Sequence, residues 1–395
     1  MSLSSQNPFT GSIFVSSPIQ IFLDRHNLDG FLFVGDSICD ADMYYLTHFL
    51  AGDKFAILAQ EKTTLLVSSM EMGRAGVESI ANECQSTSQY RIMEKLKRCD
   101  KPEEAYCQVL AEFLNSHGIR RLGVPFRFPA GYYQHLTQDF EISVQEGPVS
   151  RCREIKRQEE LDAMVCTQRA CERAMRQAVN LISSSKPRGD ILYREGQPLT
   201  SEKVRGAIDV SLLEDGCEAM DTIVAGGPQS ANPHARGTGP LAANAPIVID
   251  IFPRSKSSRY FADMTRTVLK GEASPEVKEI YEAVRLAQDE GLKAVRAGVS
   301  GKEVHSRVSS VFLDQGYPER EGCGFTHSTG HGVGLDVHEK PTLSEVGKNL
   351  EVNHVVTVEP GLYYPKIGGV RLEDMVVVKE NGSLNLTHFE RQLVL

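Results

Sequence analysis

The sequence predicts an α+β protein of two domains: an α/β N-terminal domain with a mixed sheet, then a larger domain that carries the chemistry. Three observations point there. Over residues 19–150, short apolar runs of strand length alternate with helical stretches, the pattern of a largely parallel or mixed sheet. A highly charged segment, Arg151 to Glu160, then interrupts the alternation. Beyond Thr200 the order becomes helix, strand, hairpin, helix and glycine-rich strands, and every candidate ligand lies there. A chain of 395 residues is long enough for both domains.

Taken in order, residues 1–18 are rich in Ser, with Asn, Gln, Pro and Gly, and read as a flexible tail; they lack the basic start and apolar core of a secretory signal. Ile19 to Asn27 suits a helix, Gly30 to Val34 a buried strand, and Ala41 to Phe49 a helix or turn. Strands are expected at Phe55–Leu58, Thr64–Val67 and Arg121–Val124, with helices over Met70–Asn82 and Lys101–His117. This region has neither a GxGxxG nor a GxxxxGK[ST] fingerprint. The boundary is placed near residue 150, giving domains over 19–150 and 151–395. Glu159 to Leu181 reads as a long helix whose alternating charges form a solvated face.

Composition excludes several classes of function. The formal charge of −9 lacks the basic footprint of a nucleic-acid partner, and no apolar run reaches bilayer-spanning length. Nine scattered cysteines without a CxxC pair fit reduced thiols and a cytoplasmic protein better than a disulfide framework. Cys323, just ahead of a histidine-rich stretch, has no evident activating partner and reads as structural rather than as a nucleophile.

The chemistry concentrates in a few motifs. His327-Ser-Thr-Gly-His331-Gly-Val-Gly-Leu-Asp-Val-His338-Glu339 puts three histidines within twelve residues. Its glycines are expected to let the backbone crowd whatever the imidazoles hold and to adopt positive φ where needed. Asp250 ends an apolar run, Ala245 to Asp250, and Asp263 lies in a second, Arg259 to Val268. The polar turn Pro253–Ser258 should make the pair a β-hairpin with both aspartates facing one site. Val355–Val358 delivers Glu359, and Gly369–Glu373 delivers Glu373, with Arg371 on the same strand face where it orients a carboxylate. Buried acids at strand ends require pairing or a cation, and this oxygen-rich set suits a pair of divalent ions. His234, in Ala231-Asn-Pro-His234, precedes the hairpin.

Asp250, Asp263-Met-Thr-Arg266, His331 within His-x-x-x-His-Gly-x-Gly, Glu359-Pro-Gly361 and Arg371-x-Glu373-Asp374 resemble the pita-bread metallopeptidases from about residue 160 onward. That family includes methionine aminopeptidases, Xaa-Pro aminopeptidases (aminopeptidase P) and Xaa-Pro dipeptidases (prolidases). Asp42-Met-Tyr-Tyr-Leu-Thr-His-Phe49 is similar to a segment of the domain that precedes the catalytic one in prolidases, aminopeptidases P and creatinases. The resemblance implies a pita-bread (creatinase/aminopeptidase) catalytic domain, a homodimer, and an exopeptidase that hydrolyses Xaa-Pro bonds through a metal-bridging hydroxide. It implies that Asp250 binds one metal, Asp263 and Glu373 bridge both, and His331 and Glu359 bind the second. His234 and His338 would contact substrate, Glu359 would relay a proton, and His327 and Arg371 would support them. The carboxylates lean towards Mn2+, with Co2+ or Zn2+ also able to fill such a site.

The chain departs from the family in two places. Ile251-Phe252-Pro253 replaces the small glycine-containing turn after the first aspartate, and the Asp250–Asp263 spacing is two residues longer than usual. Two residues leave each strand's facing unchanged, because side chains alternate with period two. The peptide substrate implied has proline at its second position. A related metallohydrolase or aminopeptidase acting on a non-proline substrate, and a non-catalytic binding member of the fold, remain as alternatives.

Overall fold

The computed structural model describes residues 16–318 and 320–395, and they divide into two compact units at Arg153/Glu154. Most of the expected tail lies outside the described residues, but Ser16–Pro18 already belong to a helix, Ser16–His26.

The first unit is a six-stranded mixed sheet. Its strands are β1 (Gly30–Gly35), β2 (Phe55–Ala59), β3 (Thr63–Val67), β4 (Glu83–Ser86), β5 (Arg121–Pro125) and β6 (Glu141–Gln145), in the order β4-β3-β2-β1-β5-β6. The β1–β2 and β2–β3 pairs are antiparallel, whereas β3–β4, β1–β5 and β5–β6 are parallel. The helix Pro102–Ser116 starts on a proline, which has no amide hydrogen to leave unsatisfied there. It lays Val109, Leu110, Phe113 and Leu114 on Leu32, Leu58 and Leu122 of the sheet. The helix expected over Met70–Asn82 is shorter, Met72–Glu78, because the chain turns into β4.

In the second unit, β7 (Lys186–Arg188), β8 (Ile191–Arg194) and β9 (Gln197–Pro198) make a small meander. The helix Gln158–Ser183 packs on Ser201–Glu214. The charges at its start are not all solvated as expected: Lys156 and Glu160 are buried, Lys156 pairs with Glu339, and Glu160 accepts the Tyr260 hydroxyl at 2.6 Å.

Two further sheets matter most. In the first, β11 (Ile223–Gly226) and β14 (Met264–Val268) flank β12 (Ile247–Ile251), while β10 (Cys217–Glu218) pairs separately with β13 (Arg254–Ser255). The second has the order β16 (Glu339–Leu343), β15 (Gly330–Gly332), β17 (Val355–Val358), β20 (Asp374–Lys379), β21 (Gly382–Asn385). The hairpin β18 (Gly361–Tyr364)–β19 (Gly368–Arg371) stands beside them.

Helices Pro275–Ala294 and Gly301–Asp314 pack on each other. Their N-termini are capped by Ser274 and Ser300, whose hydroxyls accept the Val277 and Glu303 amides. Their inner faces meet Leu362, Val370 and Leu372, and Val356, Val358 and Val376. No helix among the described residues is long and apolar enough to cross a membrane.

Candidate metal centre and active site

Strand β12, Ile-Val-Ile-Asp-Ile, is buried at all five positions, so Asp250 is a carboxylate inside an apolar ladder. Its Oδ2 accepts a hydrogen bond from Arg371 Nη2 at 2.6 Å, while Oδ1 is buried with no hydrogen-bond partner. Asp250 lies opposite Thr265 in the β12–β14 register, and Asp263, two residues from Thr265, comes to the same side. Asp263 Oδ1 is likewise buried without a hydrogen-bond partner.

The expected hairpin forms, with β12 antiparallel to β14, but its connection is more elaborate than a simple turn. The second strand begins at Met264 rather than Arg259, and Arg254–Ser255 pairs with Cys217–Glu218. The reason is electrostatic: Glu218 accepts from Arg254 at 2.6 Å and from Arg259 at 3.0 Å, drawing the turn off the ladder. The longer Asp250–Asp263 spacing is taken up in this detour.

The remaining acids come from the other sheet. His331 is the middle residue of β15, and Glu359 follows β17, its amide donating to the Thr329 carbonyl at 2.8 Å. Glu373 sits in the two-residue gap between β19 and β20, not on a continuous strand as expected. Its amide donates to Thr265 O at 3.1 Å, and its Oε2 accepts from Thr265 Oγ1 at 2.7 Å. Arg371 Nε donates to the same hydroxyl at 3.2 Å. Arg371 thus orients Asp250 directly and Glu373 through Thr265.

Asp263, His331 and Glu373 each offer a ligand atom within 4.8 Å of the others. His331 Nε2 lies 3.3 Å from Glu359 Oε1 and 3.7 Å from Asp263 Oδ2. Its Nδ1 donates to the Gly332 carbonyl at 3.1 Å, which leaves Nε2 for a ligand bond. All five predicted ligands, with His234, His327, His338 and Arg371, line one cleft of about 420 Å³.

Charge crowding marks this cleft. Burial, then the charges of neighbouring carboxylates, pushes Asp263 and Glu373 well above the usual carboxylate range. Burial raises Asp250 too, against the pull of Arg371. Burial also opposes ionisation of Glu359, but the His331 hydrogen bond and charge outweigh it and bring Glu359 down to about 2. Burial opposes protonation of His331, yet Glu359 raises it to about 9. Four carboxylates around one imidazole, two of them with an orphaned buried oxygen, are a set that divalent cations neutralise. The residues fit such ions.

The comparisons with known proteins agree with this geometry. Residues 162–380 match the model of metallopeptidase family M24, and residues 18–169 match the creatinase/prolidase N-terminal domain. The chain belongs to metallopeptidase family M24. It is 30% identical over 384 residues to an Xaa-Pro dipeptidase of Pyrococcus horikoshii, covering 94% of this chain and 96% of the relative. A crystal structure of the prolidase from the same organism superposes with a TM-score of 0.79 at 28% identity, covering 96% of this chain and 99% of the other. An X-Pro aminopeptidase from Thermotoga maritima gives 0.78 at 28% identity, over 94% and 99%. The fold is therefore the pita-bread fold, and the chain is a metallopeptidase.

In this M24 centre the glycines of the histidine-rich stretch act differently from the expectation. Gly330 and Gly332 do not adopt positive φ. A Cβ on Gly330 would collide with the Thr357 carbonyl, and one on Gly332 with the backbone of Glu339 and Lys340. They let neighbouring strands, rather than a ligand, approach His331. Gly332→Ala is accordingly expected to cost about 1–3 kcal/mol by overpacking, read as a lowered urea midpoint, together with weakened metal uptake. Unchanged stability and uptake would contradict the close-approach role.

Sequence reasoning missed Tyr363 and Thr265. Tyr363 Oη accepts from Arg371 Nη1 at 2.9 Å and lies 2.9 Å from His327 Nε2. His327 Nδ1 donates to the Ser328 carbonyl at 2.7 Å, so Nε2 accepts from the tyrosine. Burial holds His327 below its usual pKa, in the neutral form this chain of bonds requires. The one available clue was spacing, since Tyr363 falls on a strand right after Glu359-Pro-Gly361. For Tyr363→Phe we expect a roughly five- to thirtyfold loss of kcat, the weight of one neutral hydrogen bond with burial left unsatisfied, at unchanged metal content. Loss of metal instead would show that the hydroxyl matters to the centre itself.

Proposed function

We propose that this metallopeptidase is a dinuclear exopeptidase hydrolysing the peptide bond that precedes proline at the second position. The observation that carries the reading is the convergence of Asp250, Asp263, His331, Glu359 and Glu373 in one cleft of a chain belonging to M24. Asp250 would hold one ion, Asp263 and Glu373 both, and His331 and Glu359 the second. Mn2+ is the ion we favour, because four of the five ligands are carboxylates. Two bound cations supply Lewis acidity and lower the pKa of water to near neutrality.

The chain's own groups do the rest. His338 packs edge-on to the His331 ring at 4.3 Å, and burial followed by the His331 charge keeps its pKa low. A neutral His338 can donate to the oxygen of the scissile carbonyl as negative charge develops there. His234, at the exposed lip of the cleft, would make a second such contact. Glu359, ionised and beside His331, can accept a proton and pass it to the leaving nitrogen. Ile223, Phe252 and Val337 give the cleft an apolar wall against which a proline ring can pack. Proline specificity is supported by the names of the relatives, an Xaa-Pro dipeptidase and an X-Pro aminopeptidase. Nine free cysteines accord with a cytoplasmic home, and a homodimer is the assembly we expect. The second domain, 151–395, would carry the whole catalytic centre.

The test pairs metal analysis after mild purification with hydrolysis of Ala-Pro and Ala-Ala. Two divalent ions per chain and cleavage of Ala-Pro well above Ala-Ala are expected. A metal-loaded protein that cleaves Ala-Ala as well as Ala-Pro would favour the non-proline aminopeptidase instead.

A further inference from the structure

The loop 333–338 joins β15 to β16 and carries His338 at its end. Its first half is well fixed. The Val333 amide donates to the Val355 carbonyl at 3.2 Å, the Gly334 amide donates to the Asp336 carbonyl at 3.0 Å, and the Gly334 carbonyl accepts from the Phe261 amide at 2.8 Å. The ladder does less at the other end. His331 lies opposite Thr342 and Gly332 opposite Glu339, so Lys340 and Pro341 stand outside the register. Solvent reaches the His338 side chain, so packing alone does not fix its ring.

A buried charge pair anchors that end. Glu339 follows His338 directly, and its carboxylate lies over Gly334, where a Cβ would collide with it. There it meets the Lys156 ammonium. Lys156 is 2% exposed and the Glu339 side chain 10%. The Lys156 amide donates to the Asn353 carbonyl at 3.0 Å, just before β17, which ties the base of the lysine to the sheet that carries His331. An ammonium this deep is costly without a partner, and the partner it has is the residue next to His338.

We infer that Lys156 is a positioning residue of the peptidase reaction: through Glu339 it holds the end of loop 333–338, and with it the His338 imidazole, at the reacting carbonyl. The inference rests on the reading of His338 as a substrate contact given above. Neither Lys156 nor Glu339 lines the catalytic cleft, so their effect passes through the neighbouring histidine. Without the ammonium, the Glu339 carboxylate becomes a stranded interior charge that gains by turning to solvent, and His338 moves with it.

The experiment is a cycle of Lys156→Met and His338→Ala, read on Mn2+-loaded protein with Ala-Pro. Lys156→Met is expected to lower kcat about ten- to a hundredfold, the effect of a misplaced catalytic group, with KM and metal content unchanged. In the His338→Ala background the same change should cost nothing further, because the group it positions is gone. Damage to the fold at large would instead multiply with His338→Ala. Should Lys156→Met fold poorly, Lys156→Met combined with Glu339→Gln removes both charges and is expected to show the same loss and the same cycle. Unchanged kcat, loss of metal, or losses that multiply would each overturn the inference and leave the exopeptidase reading standing. Full activity in His338→Ala overturns the role of His338, and the inference with it. A metal-loaded wild type that leaves Ala-Pro intact overturns the exopeptidase reading and the inference together.

Discussion

Glu373→Ala is expected to abolish metal loading and to lower kcat/KM at least about a thousandfold, equivalent to some 4 kcal/mol of transition-state stabilisation. The side chain is fully interior, accepts from Thr265 Oγ1, and shares a ligand-sized space with Asp263 and His331. Without a cation its charge is a burden, since burial and then Glu359 and Asp250 oppose its ionisation. Removing it should therefore leave the metal-free protein as stable as before, or more so. The gain in Tm on adding Mn2+ should vanish. Two readouts separate the proposed ligand role from simple damage to the fold: a Tm without metal, and a metal count. A variant that binds two ions with full activity would end the bridging assignment for Glu373.

Arg266→Ala is expected to be the most destabilising single change in the catalytic unit. Arg266 is 2% exposed. Its Nη2 donates to Asp374 Oδ1 at 2.8 Å and to the Phe389 carbonyl at 2.9 Å, and its Nη1 to the Thr265 and Glu373 carbonyls at 2.9 and 2.7 Å. Nε donates to the Glu390 carbonyl at 3.1 Å. Truncation strands Asp374 as a buried charge with only Asn385 Nδ2, at 2.8 Å, to stabilise it, which costs about 3–5 kcal/mol. Urea unfolding at constant m is the appropriate measure. Adding Asp374→Asn to Arg266→Ala should recover part of the loss, because the uncompensated charge is gone. A cost below about 1 kcal/mol would mean that the pair is not structurally important.

Much of this was legible in the sequence because acids at the ends of apolar strands are conspicuous. Asp250 interrupts Ile-Val-Ile, and Glu359 follows Val-Val-Thr-Val, so burial of both could be read directly. The resemblance to M24 enzymes then supplied an order for the ligands. Strands β4 and β6 went unseen for a physical reason. They are the two edges of the first unit's sheet, half-exposed, and Glu-Cys-Gln-Ser and Glu-Ile-Ser-Val-Gln carry no sustained apolar run. Thr265, Tyr363 and Arg266 were also invisible as working parts. Their roles come from partners roughly a hundred residues away, or from across a hairpin, and no local pattern encodes that. The late start of the strand at Met264 and the side pairing of Arg254–Ser255 went unseen for the same reason, since Glu218, which holds Arg254 and Arg259, lies more than thirty residues upstream.

The five proposed ligands are delivered by two sheets that share no strand: Asp250 lies on β12 and Asp263 just before β14, whereas His331 lies on β15, Glu359 just after β17 and Glu373 just before β20. Across that seam the backbone contributes the bond from the Glu373 amide to Thr265 O, and the side chains contribute Arg266 with Asp374. A cation held from both sides would act as a rivet. Stripping it should leave each sheet's own ladder intact while the seam breathes, so the Glu373 amide would exchange its hydrogen with solvent before its neighbours in β17 and β20 do.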